Sequence, residues 1–356
     1  MTEEAVLNAL RTIEDPDLHR DIVSLGFVKD IAIDGNNLSV TIELTTPACP
    51  VKDRLKTEAE TALKALDGVH NLTVNMTARV RATKSELKDQ MLPRVKNIIP
   101  IASGKGGVGK STVSANIALA LQKSGAKVGI MDADIYGPSI PLILGTKDLP
   151  QQRGSVILPV NQYGLKVISM GFFIQQNQAV VWRGPMLSKM VEQFLGGVDW
   201  GELDYLIIDL PPGTGDIQLT LCQSVPLTGS VIVSTPQDVA FNVARKAILM
   251  FNQLKSPVLG LIENMSHFIC SNCGHEDHIF GSGGSEKASK DFNIPLLGSI
   301  PLATVIRKTS DEGRPVVVSN PDSAEAQEFI KVAEQLAAQV SINNMKAAEE
   351  EIKVTF

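Results

Sequence analysis

Cysteine is scarce in this chain, with 4 in 356 residues, and aromatic side chains make up only 4%. Four thiols at this length do not form the disulfide framework that holds small secreted domains together, and they suit a reducing compartment. An excess of positive charge is also missing: 33 Lys and Arg face 39 Asp and Glu, a net charge of −6. No global field therefore draws nucleic acid or anionic lipid to the surface. No apolar run approaches the roughly 20 residues needed to span a bilayer. The opening MTEEAVLNALRTIEDPDL has neither a basic start nor the apolar stretch that directs export. These absences predict a cytoplasmic protein with no nucleic-acid and no membrane partner. What is present, 44% hydrophobic and 20% charged residues, is ordinary for a globular chain with a sizeable core.

The length suits one large domain plus a small one. Residues 1–78 read as a small α+β unit. In EEAVLNALRTI, residues Ala5, Leu7, Leu10 and Ile13 give an apolar helical face, and PVKDRLKTEAETALKAL is helical again. NNLSVTIELTT alternates as a half-buried strand does, Asp34-Gly35 ahead of it signals a turn, and VHNLTVNMT offers another short strand. Residues 79–96 hold six Lys or Arg against two Asp or Glu, which predicts a solvated linker. Over residues 97–345 the pattern is strand, turn and helix, repeated through NIIPIAS, KVGIMDAD, DYLIIDLPPG, SVIVSTP, VLGLIEN and LLGSIP. Near-continuous apolar runs fit parallel strands covered on both faces. The expected fold is α/β, a doubly wound, mostly parallel sheet with ligands at the carboxyl ends of its strands. Residues 346–356 are acidic and read as a flexible tail.

Gly104, Lys105, Gly106, Gly107, Val108, Gly109, Lys110 and Ser111 fit G-x-x-x-x-G-K-[ST], with Thr112 next, between an apolar strand and an amphipathic helix. In such a loop the glycines let backbone N–H groups close around phosphates, and the helix N-terminus adds a positive dipole end. Lys110 is then placed for the β- and γ-phosphates and the Ser111 hydroxyl for Mg²⁺. Asp209, at the end of YLIID, is placed to hold the same Mg²⁺, or else to cap the loop that follows. Asp132 and Asp134 end another strand in MDADIYGPS; one of them could orient or deprotonate an attacking water, and capping is again the alternative. The site is read as a nucleotide and Mg²⁺ site; ATP as the nucleotide is what the resemblance below implies.

A loop of this kind needs one lysine, and Lys105 is a second. It reads either as a surface side chain or through a resemblance: SGKGGVGKST is similar to the deviant Walker A motif of the MinD, nitrogenase-reductase and ArsA class. There the early lysine crosses a dimer interface to the partner's nucleotide, so the resemblance implies an ATP-hydrolysing homodimer in which Lys105 acts in trans. MDADIYGPSIP, WRGPM, DYLIIDLPPGTGD, STPQDVA and ENMSHFICSNCGHEDHIFG together resemble the Mrp/ApbC family of iron–sulfur cluster carrier ATPases over about residues 95–340. EDPDLHRDIVSLGFV and TTPACP are similar to the SufT-like domain often fused ahead of that ATPase. The resemblance implies that Asp134 acts on water, that Asp132 lies on the Mg²⁺ side, and that Asn264 reads adenine, a strand-end cap being the other reading. It also implies Arg183 near the dimer interface, where an ordinary ion pair is equally open.

FICSNCGHEDH holds Cys270 and Cys273, two thiols where a tetrahedral site needs four ligands. In the homodimer that the resemblance implies, a two-fold axis brings both pairs together. Four thiolates suit Zn²⁺ or a [4Fe–4S] cluster equally by spacing, and the family resemblance favours the cluster. A Cys₂His₂ zinc site with His275 and His278, a redox C-x-x-C pair and inert thiols are the alternatives. Cys222 reads as buried and structural. Cys49, before Pro50 as the first residue of a helix, reads as an activated thiol, an accessory iron ligand or a small apolar residue. The function implied is an ATPase that carries a [4Fe–4S] cluster between an assembly scaffold and apo-proteins. A MinD/ParA-like positioning switch and an ATPase with a structural zinc site compete with it, though the acidic tail lacks the basic amphipathic helix of a membrane-binding switch.

Overall fold

A computed structural model describes the chain apart from residues 84–90, 174–183, 271 and 355–356. Arg183 lies outside the described residues. Two compact units are present: residues 1–81 with 341–356, and residues 82–340.

In the smaller unit, helix α1 (Glu3–Leu10) starts at Thr2, whose hydroxyl accepts the Ala5 N–H at 3.3 Å, and it buries Val6 and Leu10. Strands β1 (Val28–Asp34) and β2 (Asn37–Leu44) form an antiparallel hairpin that turns through Gly35, at φ 57°. Leu38, Val40, Ile42 and Leu44 alternate onto the buried face, as the sequence predicts. Helix α2 (Lys52–Lys64) crosses over to strand β3 (Asn71–Ala78), which pairs with β2 in parallel, and Leu55, Ala59 and Leu63 close the core. Cys49 therefore sits outside the helix rather than at its first turn. It is half-buried against this core.

The larger unit is built on a nine-stranded sheet. Strand β4 (Val95–Ser103) leads through the glycine loop into helix α3 (Lys110–Lys123) and strand β5 (Val128–Asp132). Strands β6 (Val160–Gln162) and β7 (Leu165–Ser169) extend the edge beyond β5. Helix α4 (Gly184–Gly196) returns the chain to β8 (Leu203–Asp209), which inserts between β5 and β4. Helix α5 (Asp216–Ser224), strand β9 (Ser230–Ser234), helix α6 (Asp238–Gln253) and strand β10 (Val258–Ile269) build the other side of β4. The short strand β11 (Glu276–Asp277) folds back on the end of β10, helix α7 (Gly284–Phe292) follows, and β12 (Leu296–Leu302) pairs with β10 in parallel. The doubly wound, mostly parallel sheet is thus present, its order reversing at β4. Ile98, Ile99, Ile101, Leu206, Ile207, Ile208 and Ile232 have no exposed surface, which is why these strands read as unbroken apolar runs.

Residues 91–96 begin this unit rather than link to it: Leu92 is buried, and β4 already starts at Val95. Helix α8 (Thr304–Asp311) precedes the last helix, α9 (Ala324–Val354). Where a flexible tail was expected from residue 346, α9 continues to Val354, and Glu349 pairs with Arg20 at 3.2 Å. Ala, Glu and Lys dominate KAAEEEIK and are strong helix formers, so acidity alone was a poor guide to fraying. Among the described residues no helix is long and apolar enough to cross a membrane. Truncating a buried central side chain tests the sheet as the stability determinant: Ile207→Ala should cost about 2–5 kcal/mol in urea unfolding followed by circular dichroism.

Candidate functional site

Strands β4, β5, β8, β9 and β10 all end on one edge, which gathers the residues singled out above. Gly107 and Gly109 adopt φ of 80° and 77°, a left-handed backbone that lets the loop close above the N-terminus of α3. Gly104 is required for a different reason: a Cβ there would lie 2.5 Å from the backbone of Val243 and Ala244 in α6. The loop from Lys105 to Thr112, with Ser103, Asp134, Ser139, Ile143 and Pro212, encloses a cavity of about 290 Å³.

At its floor Asp209 is fully buried. Its carboxylate accepts the hydroxyls of Ser111 and Ser114 at 2.5 and 2.7 Å and pairs with Lys110 Nζ at 2.8 Å. Lys110 is 6% exposed, so both charges lie out of water and each depends on the other. Ser111 Oγ and Asp209 Oδ2 form a pair of hard oxygen donors, the chemistry that suits Mg²⁺.

Asp132 and Asp134 separate in role. Asp132 is fully buried, and its oxygens accept Asp134 N–H at 3.1 Å, Ile140 N–H at 3.1 Å and Ser169 Oγ–H at 2.9 Å. Burial pushes its carboxyl up to about 7, reinforced by the negative Asp209; the bonds from Ser169 and Ile140, and Lys110, act the other way. It is a buttress under the loop at residues 133–140. Asp134 lines the cavity, half-buried, with its carboxyl raised by burial and drawn back by Lys110 and by the Gly137 N–H at 3.2 Å. On the open side Lys105 Nζ donates to Gln237 Oε1 at 3.3 Å, an oxygen that also accepts Thr235 Oγ–H at 2.7 Å. Asn264 Nδ2 donates to the Val108 carbonyl at 2.8 Å, which fastens the P-loop to β10 and uses one of its two amide hydrogens.

Strand β10 runs on past Asn264 through Met265, at a left-handed φ of 57°, and a register shift before Phe268. It ends at a hairpin in which Cys270 N–H donates to the His275 carbonyl and Gly274 N–H to the Cys270 carbonyl, both at 2.9 Å. Cys270 is half-buried and Cys273 exposed. The backbone N–H groups of Cys273 and Asn272, then the Cys273 side chain, hold the Cys270 thiol below its usual range. His278 instead faces the Ser266 carbonyl at 3.3 Å and Glu276 at 3.7 Å. Among the described residues no three His, Cys, Asp or Glu side chains of this one chain are grouped to hold a metal. The C-x-x-C lies in a hairpin rather than at a helix start, unlike a thioredoxin-like pair.

The sequence pattern of the NUBPL iron-transfer P-loop NTPases matches residues 94–337. The chain belongs to that family. A second pattern, described as iron–sulfur cluster assembly protein, matches residues 3–75. The iron–sulfur cluster carrier protein of Synechocystis sp. is 49% identical over 96% of this chain and 99% of its own length. That of Deinococcus radiodurans is 45% identical over 99% of each. Among solved structures, a nucleotide-binding protein from Archaeoglobus fulgidus in complex with ADP shares 41% identity over 70% of this chain and 97% of its own, with a TM-score of 0.60. The septum site-determining protein MinD of Pyrococcus horikoshii, complexed with Mg-ADP, shares 26% over 67% and 94%, with a TM-score of 0.52. The family and the two-part organisation expected from the motifs are therefore present.

For this family member, sequence reasoning missed four polar side chains at the site. Ser114 lies one helical turn after Lys110, a signal open to a reader who projected α3 as a helix. Ser169 reaches Asp132 only through the pairing of β5 with β7, which no spacing reveals. Gln237 stood inside a quoted motif without a role. Gln218, buried at 1% exposure, bonds the loop after Asp209, and G-x-x-Q at a helix start was its signal. Cys222 behaves as expected: it packs against the core, and burial pushes its thiol up to about 11. Its thiolate fraction at pH 8 is then roughly one in a thousand. Iodoacetamide should label Cys270 and Cys273 at least about tenfold faster than Cys222, as read by peptide mass spectrometry.

Proposed function

We propose that this chain is an ATP-hydrolysing iron–sulfur cluster carrier that works as a homodimer in the cytoplasm, taking a [4Fe–4S] cluster from an assembly scaffold and handing it to apo-proteins. The observation that carries this reading is the continuity of β10. The same strand fastens the P-loop through Asn264 and presents Cys270 and Cys273 beyond its end.

In the nucleotide part, backbone N–H groups of Gly104–Thr112 receive the phosphates. Lys110 leaves Asp209 for the β- and γ-phosphates, and Ser111 and Asp209 are then free to hold Mg²⁺, which neutralises phosphate charge. Each group keeps a partner of opposite sign: the carboxylate would trade a buried ammonium for a metal cation, and the ammonium would trade a carboxylate for phosphate. Asp134 orients the attacking water from the cavity wall. Lys105 leaves Gln237 to reach the partner's nucleotide and stabilise charge developing in the transition state. The free Nδ2 hydrogen and the oxygen of Asn264 are suited to an adenine edge. Asp132 supports the Asp134 loop from below.

The cargo is the cluster, held by Cys270 and Cys273 of each of two chains. Backbone N–H groups that favour the Cys270 thiolate would go on donating to its sulfur when it binds iron. The iron–sulfur carrier names of relatives that match nearly the whole chain support this cargo over a positioning role.

Anaerobic reconstitution with iron and sulfide, followed by size exclusion and Fe, S and Zn analysis, tests the cargo. About four irons per dimer are expected in wild type, with loss in Cys270→Ser. Stoichiometric zinc with no iron uptake, or iron that survives the substitution, would refute it. For the in-trans lysine, Lys105→Ala should lower the ATPase rate at least about tenfold while ATP affinity stays within about threefold. An unchanged rate would remove Lys105 from the mechanism.

A further inference from the structure

The proposed chemistry leaves Gln218 without a part, yet its side chain is almost wholly buried and directed at a single loop. Nε2 donates to the Pro211 carbonyl at 2.8 Å and to the Gly213 carbonyl at 3.2 Å, while Oε1 accepts the Gly215 N–H at 3.0 Å. A helix-capping residue needs only the last of these bonds. The other two reach back past the start of α5 to carbonyls that closely follow Asp209.

The loop has reason to need them. In Pro211-Pro212-Gly213-Thr214-Gly215 the prolines supply no N–H groups, and the glycines leave the backbone free to wander. Gly213, at φ 94°, is tied on its other side by its N–H to the Ser103 carbonyl at 2.9 Å. The side-chain amide of Gln218 provides the donors that the loop's own sequence lacks. Pro212 lines the P-loop cavity and also a larger neighbour of about 580 Å³. Across that second cavity Pro211, Gly215 and Gln218 stand on one side and Asp134, Tyr136 and Gly137 on the other.

We propose that Gln218 is a positioning residue for ATP hydrolysis: its amide holds the Pro211–Gly215 loop as the fixed wall that faces Asp134 beside the terminal phosphate. The proposal rests on the ATPase reading above and adds a residue to it. Gln218 acts through the loop, not on the reacting atoms.

Two variants of the full-length chain separate this from simple capping. Gln218→Met keeps the volume and removes all three bonds. Gln218→Glu keeps an acceptor for the Gly215 N–H but sets an oxygen against the Pro211 and Gly213 carbonyls. Both should lose at least about tenfold in kcat while ATP Kd stays within about threefold, because the phosphate-binding loop is untouched. Thermal unfolding shows which variants are folded, and hydrogen exchange of residues 210–217 reads the loop directly. Wild type should protect the Gly215 amide and Gln218→Met should not. Wild-type kcat in Gln218→Glu would mean that only the cap matters and would overturn the proposal, as would rapid exchange of Gly215 in wild type. A wild type without ATPase activity removes both readings, whereas an active wild type with equally active folded variants removes only this one.

Discussion

Everything at the carboxyl edge of the large sheet is arranged around a buried ion pair, Lys110 with Asp209. Two full charges with almost no exposed surface are costly to bury, and they persist here because Ser111 and Ser114 take up the remaining capacity of the carboxylate. The pair also explains the neighbouring acid. Asp132 lies within the field of Asp209, which adds to burial in raising its pKa. In the proposed function such a site is poised for exchange, because its internal cation and anion are the partners that a phosphate and a metal ion would replace.

The same economy of contacts appears at the cysteines. A regular strand would carry β10 straight past Asn264, but Met265 turns left-handed and the pairing with β12 slips before Phe268. The hairpin is therefore aimed by a local backbone turn that begins one residue after the side chain bonded to Val108. In the proposed function this places nucleotide and cargo at two ends of one covalent element.

Much of this was legible without coordinates, for reasons that are physical. The P-loop is a local motif whose glycines and lysine are set by one loop and one helix turn. Asp209 and Asp132 could be found because strands buried on both faces are unbroken apolar runs, so the first acid after a run marks the strand end, and Asp134 follows Asp132 by two residues. Cys270 and Cys273 stood out by spacing, in a stretch that reads as a polar loop and is a hairpin in the structure. What sequence reasoning could not reach depends on pairing between distant segments. Ser169 meets Asp132 only across neighbouring strands, and Gln237 meets Lys105 across 132 positions. The misreadings were local judgements that packing overrode: Cys49 was credited with a helix that begins at Lys52, and the acidic end of α9 was credited with disorder although it is helical to Val354.

The absence of a side chain at Gly104 carries a mechanical meaning. With no room for even a methyl group between the start of the P-loop and the backbone of α6, those two pieces of chain behave as one block. The far end of the loop is joined to β10 through a side chain instead, the Asn264 amide that donates to the Val108 carbonyl. The wall that cradles the phosphates is thus keyed at both ends, like a vice jaw bolted to the bench. Any travel as nucleotide enters or leaves belongs to the opposite jaw, the loop that carries Asp134.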